Sequence, residues 1–134
     1  MNSFLSLPCF FLFFCFAGCY EQRDDVKTLE EVVLAFNKTC PRLLDSETKI
    51  EGIEIKGKNT VVYKYTLIHV LAVKVDTVEF KRALWPGILS MIKISPDLNT
   101  LKNQQTTFEY AYSDRLHKPV YTFKVYPKDY LPKL

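Results

Sequence analysis

From Val61 to Ile68 the side chains alternate, with Val61, Tyr63, Tyr65 and Leu67 on one side and Val62, Lys64, Thr66 and Ile68 on the other. Successive side chains of a strand point to opposite faces, and β-branched and aromatic residues suit a pleated, half-buried surface. This segment is therefore a strand, and the fold must supply it with neighbours. Two further runs have the same period. Phe108, Tyr110 and Tyr112 alternate with Glu109, Ala111 and Ser113, and Tyr121, Phe123 and Val125 alternate with Thr122, Lys124 and Tyr126. The polar stretch Asp114 to Lys118 turns one into the other. A fourth run, Lys49 to Lys56, carries Ile50, Ile53 and Ile55 between charges, and Gly57-Lys58-Asn59 turns it back as a hairpin into the Val61 strand.

Helical spacing appears twice. Val26, Leu29, Val32, Val33 and Phe36 make one apolar stripe within Asp24 to Lys38, with Glu30 and Glu31 off it. Pro41 closes that helix, and Asp45 and Ser46 follow as turn residues. Asp76 can cap a second helix through Val78, Leu84, Trp85, Ile88 and Ile92, in which Pro86-Gly87 predicts a kink or a restart. Ser95-Pro96-Asp97 begins a short turn that carries Leu98 and Leu101 inward. The order helix, strand, strand, helix, strand, strand predicts one α+β domain over residues 25–134. Its expected architecture is a four-stranded antiparallel sheet with two main helices packed on one face. The stretch Ile68 to Val73 is apolar on both sides, so it is either buried twice or an exposed patch.

The chain ahead of that domain is a leader. Phe4 to Gly18 is an apolar run of about 15 residues interrupted by Ser6 and Pro8, short of the ~20 that a spanning helix needs. Its end, Phe16-Ala17-Gly18-Cys19, resembles the lipobox of bacterial lipoproteins, with Phe16 standing where Leu is usual. The resemblance implies a signal peptide over residues 1–18, acylation of Cys19, and a short linker through residue 24. Several acyl chains on one residue supply the two lipid signals that stable anchoring takes. Because Tyr20 rather than Asp follows the cysteine, the resemblance further implies the outer membrane, facing the periplasm. Residues 1–19 hold no Lys or Arg, unlike the usual basic start of a signal peptide. An ordinary cleaved signal, with Cys15 and Ala17 flanking the cut, and an uncleaved anchor remain as alternatives. Each places residues 20–134 outside the cytoplasm.

Charge and cysteine usage narrow the function. Eighteen basic and fifteen acidic residues give a net charge of +3, and acids sit among the bases throughout, so the basic face of a nucleic-acid binder is not expected. With Cys9 and Cys15 in the leader and Cys19 lipidated, Cys40 is the single thiol left, which suits a buried structural cysteine or pairing between chains. His69 has no second His or Cys at metal-ligand spacing, and His117 falls in a hairpin tip. Glu109 lies on a polar strand face and Asp114 in a turn, a poor arrangement for paired acid–base work. Only four glycines occur, with no phosphate cradle and no serine elbow. No catalytic residue, metal site or cofactor is expected.

A set of short motifs adds a resemblance. Asn37-Lys38-x-Cys40-Pro41 with Asp45-x-x-Thr48, then Tyr63-x-Tyr65-Thr66-Leu67, then Phe108-x-Tyr110-x-Tyr112-x-Asp114, resemble small uncharacterised bacterial envelope lipoproteins. The resemblance covers about residues 26–130 and implies the fold without an activity. Where the last hairpin is expected to hold a Gly, this chain has Leu116-His117-Lys118. The expected function is a membrane-anchored, non-enzymatic protein-interaction module of the cell envelope, held by its lipid and bound to a protein partner. An immunity or inhibitor lipoprotein that blocks an envelope-acting toxin or enzyme is the alternative. Tyrosine suits binding surfaces because its ring contributes area and its hydroxyl a hydrogen bond. Tyr63, Tyr65, Tyr110 and Tyr112, with Ile68 and Val70, are the candidate partner-binding residues, the tyrosines on condition that some lie on the sheet face opposite the helices.

Overall fold

A computed structural model describes residues 27–133; the leader, Cys19 and the linker through residue 26 lie outside them. Helix α1 (Leu29–Asn37) begins at Thr28, whose hydroxyl accepts from Glu31 N–H while the Glu31 carboxylate accepts from Thr28 N–H. This reciprocal cap satisfies two amides that a helix start leaves unpaired. Strand β1 (Arg42–Leu43) follows, then β2 (Thr48–Lys56), β3 (Thr60–Leu67) and helix α2 (Thr77–Ile94). After a 3₁₀ turn come α3 (Asn99–Asn103), β4 (Thr107–Ser113), β5 (Pro119–Val125) and the short α4 (Pro127–Tyr130).

The sheet has five strands in the order β1-β2-β3-β4-β5. Both expected hairpins form, β2 with β3 and β4 with β5, each antiparallel. The two hairpins join in parallel, Val61 opposite Phe108 and Tyr63 opposite Tyr110, so the sheet is mixed and not wholly antiparallel. Parallel neighbours need a crossover of a dozen or more residues, and the α2–α3 segment is that crossover. The two-residue β1, absent from the expected four strands, pairs with β2 at Arg42↔Ile50 and Leu43↔Lys49. Two exposed residues carry no alternation by which to read them.

Within β2 the expected apolar residues are spaced three and then two apart. A register shift between Ile50 and Gly52 resolves this, since one extra residue returns Ile53 and Ile55 to the face of Ile50. Asp76 caps α2 as expected, its carboxylate accepting from Val78 and Glu79 N–H at 2.9 and 3.1 Å. The helix then runs through Pro86 as one element, so the expected restart does not occur. Pro86 is exposed, so the carbonyl one turn earlier that loses its donor stands on the solvent side of the helix.

The core lies between the helices and one sheet face: Ile50, Val61, Tyr63, Tyr110 and Phe123 from the strands meet Leu29, Ile88, Ile92 and Leu101. Rings stack along it, Tyr63 on Tyr110 at 5.0 Å and Tyr65 on Tyr112 at 4.8 Å. The other face is a layer of charge. Glu109 is buried between Lys56 at 3.2 Å and Lys124 at 3.7 Å, and Thr66 donates to Glu51, which pairs with Lys49 at 2.8 Å. Among the described residues no helix is long and apolar enough to cross a membrane.

Candidate functional site

Helix α1 packs on β2 and α2 packs on β5. Those strands lie three spacings apart, about 14 Å, whereas helices in contact lie about 8–10 Å apart. A gap therefore remains above β3 and β4. The structure has a groove of about 480 Å³ there, walled by Val32 and Phe36 of α1 and Met91 of α2 and floored by Ile50, Tyr63, Tyr65 and Tyr110. A second hollow of about 270 Å³ shares Leu44, Tyr65, Met91 and Tyr110 with it and runs on toward Phe80, Leu84 and Tyr112. Leu44 and Met91 are exposed where the two hollows join, so together they form one trough across the middle strands.

The tyrosines of the candidate set lie in this trough. None is on the helix-free face, which carries Lys49, Glu51, Glu54, Lys64 and Glu109 instead. That corrects the condition placed on them: they form the floor of a groove between helices. Tyr63, Tyr65 and Tyr110 are buried and Tyr112 is half-buried. Burial pushes the Tyr63 and Tyr112 phenols up to about 12 and those of Tyr65 and Tyr110 higher still, so all four are neutral hydrogen-bonding groups at physiological pH. The Tyr110 hydroxyl is buried and has no hydrogen-bond partner among the described residues. Leaving such a group unpaired costs about 1–3 kcal/mol.

Ile68 and Val70 lie elsewhere. Strand β3 ends at Leu67, and the segment from Ile68 to Val73 is neither doubly buried nor one exposed patch, because its residues range from half-buried to exposed. It docks on the β4–β5 turn. Arg115 N–H donates to Val70 C=O at 3.2 Å, and the Asp114 carboxylate accepts from Ala72, Leu116 and Lys118 N–H at 2.8, 2.8 and 2.9 Å. The Ala72 amide, ahead of those of Lys118 and Leu116, holds the Asp114 carboxyl below its usual range despite burial. Asp114 thus organises a turn, and Glu109 is tied up by two lysines on the opposite face, so the structure does not bring them together. His69 and His117 are both exposed. His117 takes the left-handed conformation, φ 63°, at the position where a Gly was expected. Among the described residues no cluster of His, Cys, Asp and Glu could hold a metal ion. Cys40 is a free, half-buried thiol packed against the core.

Sequence reading found the tyrosines and missed the walls. Met91 falls at i+3 from Ile88 and i+7 from Leu84, so its signal was present in the stripe, whereas Leu44, just ahead of the turn residues Asp45 and Ser46, carries none.

No family model and no curated protein sequence matches the chain. Two solved structures share its fold. A Pseudomonas aeruginosa protein assigned as secreted is 14% identical with a TM-score of 0.57, covering 75% of this chain and 87% of that one. A pilotin from the type 2 secretion system of Vibrio vulnificus is 13% identical with a TM-score of 0.54, covering 78% of this chain and 88% of that one. The class these comparisons and the groove define is a small α+β domain with an open, tyrosine-floored trough between its helices.

Proposed function

We propose that this chain is a lipid-anchored, non-enzymatic interaction module of the bacterial cell envelope, acylated at Cys19, facing the periplasm from the outer membrane. Its partner-binding surface is the trough between α1 and α2. The observation that carries this reading is the open apolar trough itself, a groove of about 480 Å³ continuous with a second hollow, with Leu44 and Met91 exposed along it. A partner that fills the trough would bury Leu44, Met91 and the accessible edges of the ring floor, and a few such central residues dominate the energy of a contact. The fold shared with a pilotin and with a protein assigned as secreted supports an envelope setting, and the leader ending at Phe16-Ala17-Gly18-Cys19 supports anchoring.

Two measurements test it. Radiolabelled palmitate should enter the wild-type chain and not Cys19→Ala; equal labelling of both rules out the anchor. A photo-crosslinking residue at Met91 or Leu44, in cells, should capture one stoichiometric envelope protein, and the same residue at Lys64 on the charged face should not. Equal capture from both faces, or none from the trough, removes the trough as the partner surface. Met91→Glu, at an exposed position, should leave the free domain as stable as wild type while weakening capture from Leu44. That combination separates a recognition group from a structural one.

A further inference from the structure

The two ends of the sheet are finished differently. On the outer side of β2, β1 takes the ladder at Ile50 and Lys49, and the Asn37 side chain takes both the N–H and the C=O of Ile53 at 2.8 Å. On β5, the last strand, no hydrogen bond beyond the ladder to β4 involves the backbone of Val120 to Val125 among the described residues. A terminal strand presents every second N–H and C=O outward, and proteins ordinarily cover or blunt such an edge. Here the edge is open, and a hollow runs along it. Tyr121, Thr122, Phe123 and Lys124 line one space of about 400 Å³ with Lys81 and Trp85 of α2. Consecutive strand residues point to opposite faces, so all four can line one hollow only where it follows the strand's edge. Trp85, stacked on Phe123 at 6.3 Å, forms the far wall. Beyond it a second hollow of about 390 Å³ is lined by Val78, Lys81, Arg82, Trp85 and Pro86. Val78 is 65% exposed.

The geometry points to this edge as the docking site for an extended, acidic segment of another protein, which adds a sixth strand beside β5. Main-chain hydrogen bonds to the edge give such a mode its affinity, and pockets for alternate side chains give it selectivity. The edge from Val120 to Lys124 takes about five residues, roughly 17 Å of extended chain. Alternate side chains of the incoming strand fall toward Trp85 and Val78, which calls for apolar residues at every second position. Charge sets the rest. Glu79 is paired with Arg82 at 2.6 Å and Glu109 is held by Lys56 and Lys124, whereas Lys81 has no acidic partner among the described residues. Carboxylates on the segment complete this basic rim. A second copy in the same place would bring another Lys81 and Lys124 to this rim instead of carboxylates, which disfavours self-pairing. The site is separate from the trough, and it stands or falls independently of the partner proposed there.

Fluorescence anisotropy on the full-length protein in detergent tests it with a labelled peptide of about ten residues alternating Val with Glu. Two versions N-methylated at backbone amides, one on the even and one on the odd positions, and a counterpart with Lys for Glu complete the set. We expect the acidic peptide to bind, one of the two N-methylated phases to bind about tenfold weaker, and the Lys peptide to fail. Lys81→Glu and Val78→Ser should each weaken the acidic peptide about fivefold or more, while Lys64→Glu on the charged face leaves it unchanged. Both substituted residues are exposed, so the fold is kept. No binding of the acidic peptide, indifference to both N-methylated phases, or equal binding of the Lys peptide would overturn the proposal. So would concentration-dependent dimers, seen by sedimentation, that the peptide dissociates, because the edge would then belong to a second copy.

Discussion

The side-chain amide of Asn37 exchanges two hydrogen bonds with the backbone of Ile53: its NH₂ donates to Ile53 C=O and its carbonyl accepts from Ile53 N–H, each at 2.8 Å. The last residue of α1 thereby acts as a piece of strand where β1 gives out, fastening the helix to the sheet. The fit is close. A Cβ on Gly52, at the bulge beside it, would stand 3.0 Å from the Asn37 carbonyl oxygen.

Removing that amide exposes two backbone groups that nothing else reaches. Asn37→Ala should cost about 1–3 kcal/mol in urea unfolding, the penalty for part-buried polar groups left unmade. Asn37→Asp keeps an acceptor for Ile53 N–H but turns an oxygen toward Ile53 C=O, so at neutral pH it should be at least as unstable, and it should recover on acidification. Gly52→Ala should destabilise as well, and less in the Asn37→Ala background, where the close approach is relieved. Additive effects of the two substitutions would show that the amide does not set the bulge.

Alkaline pH should unfold the domain through its trough. The Tyr63, Tyr65 and Tyr110 phenols are raised in the folded state by burial, while in the unfolded chain they ionise near 10. Above about pH 10 the unfolded state therefore binds fewer protons, and stability falls as pH rises, by about 1.4 kcal/mol per pH unit for each phenol. Spectrophotometric titration should show these tyrosines ionising together with loss of structure and not before it. Smooth ionisation in a domain that stays folded would contradict their burial.

Acid acts on the other end of the sheet. Three backbone amides hold the Asp114 carboxylate below its usual range. Its contribution is thus present above the unfolded value near 3.8 and is lost as pH falls through the lower folded value. Denaturation midpoints of wild type and Asp114→Asn, measured from about pH 6 down to about pH 3, should converge with acidification. Midpoints that stay parallel would mean that the turn and the Ala72 contact do not depend on the charge.

Much of this was legible in the chain because its signals are local. A period of two over Val61 to Leu67 fixes a strand and both of its faces, and Asp76 ahead of an apolar stripe fixes a helix start. Thr28-Leu29-Glu30-Glu31 held a capping box that marks the true start of α1, a signal present in the sequence and passed over. The spacing of Ile50, Ile53 and Ile55 likewise encoded the bulge. At Pro86 the local rule allows a restart that packing prevents: Ile88 and Ile92 beyond it are buried against the sheet, which keeps the helix going past a missing hydrogen bond.

The sequence by itself determined the four main strands and two main helices, which face of each of those strands is apolar, and that Tyr63 shares a face with Tyr65 and Tyr110 with Tyr112. Only the tertiary structure decided that β3 and β4 run parallel, because an alternating strand pairs equally well in either direction and the choice rests on where the α2 crossover returns the chain. The same holds for the trough. Whether the ring floor of β3 and β4 is roofed over or left open depends on two helices settling on β2 and β5 with the middle strands left between them, a spacing no stretch of sequence records.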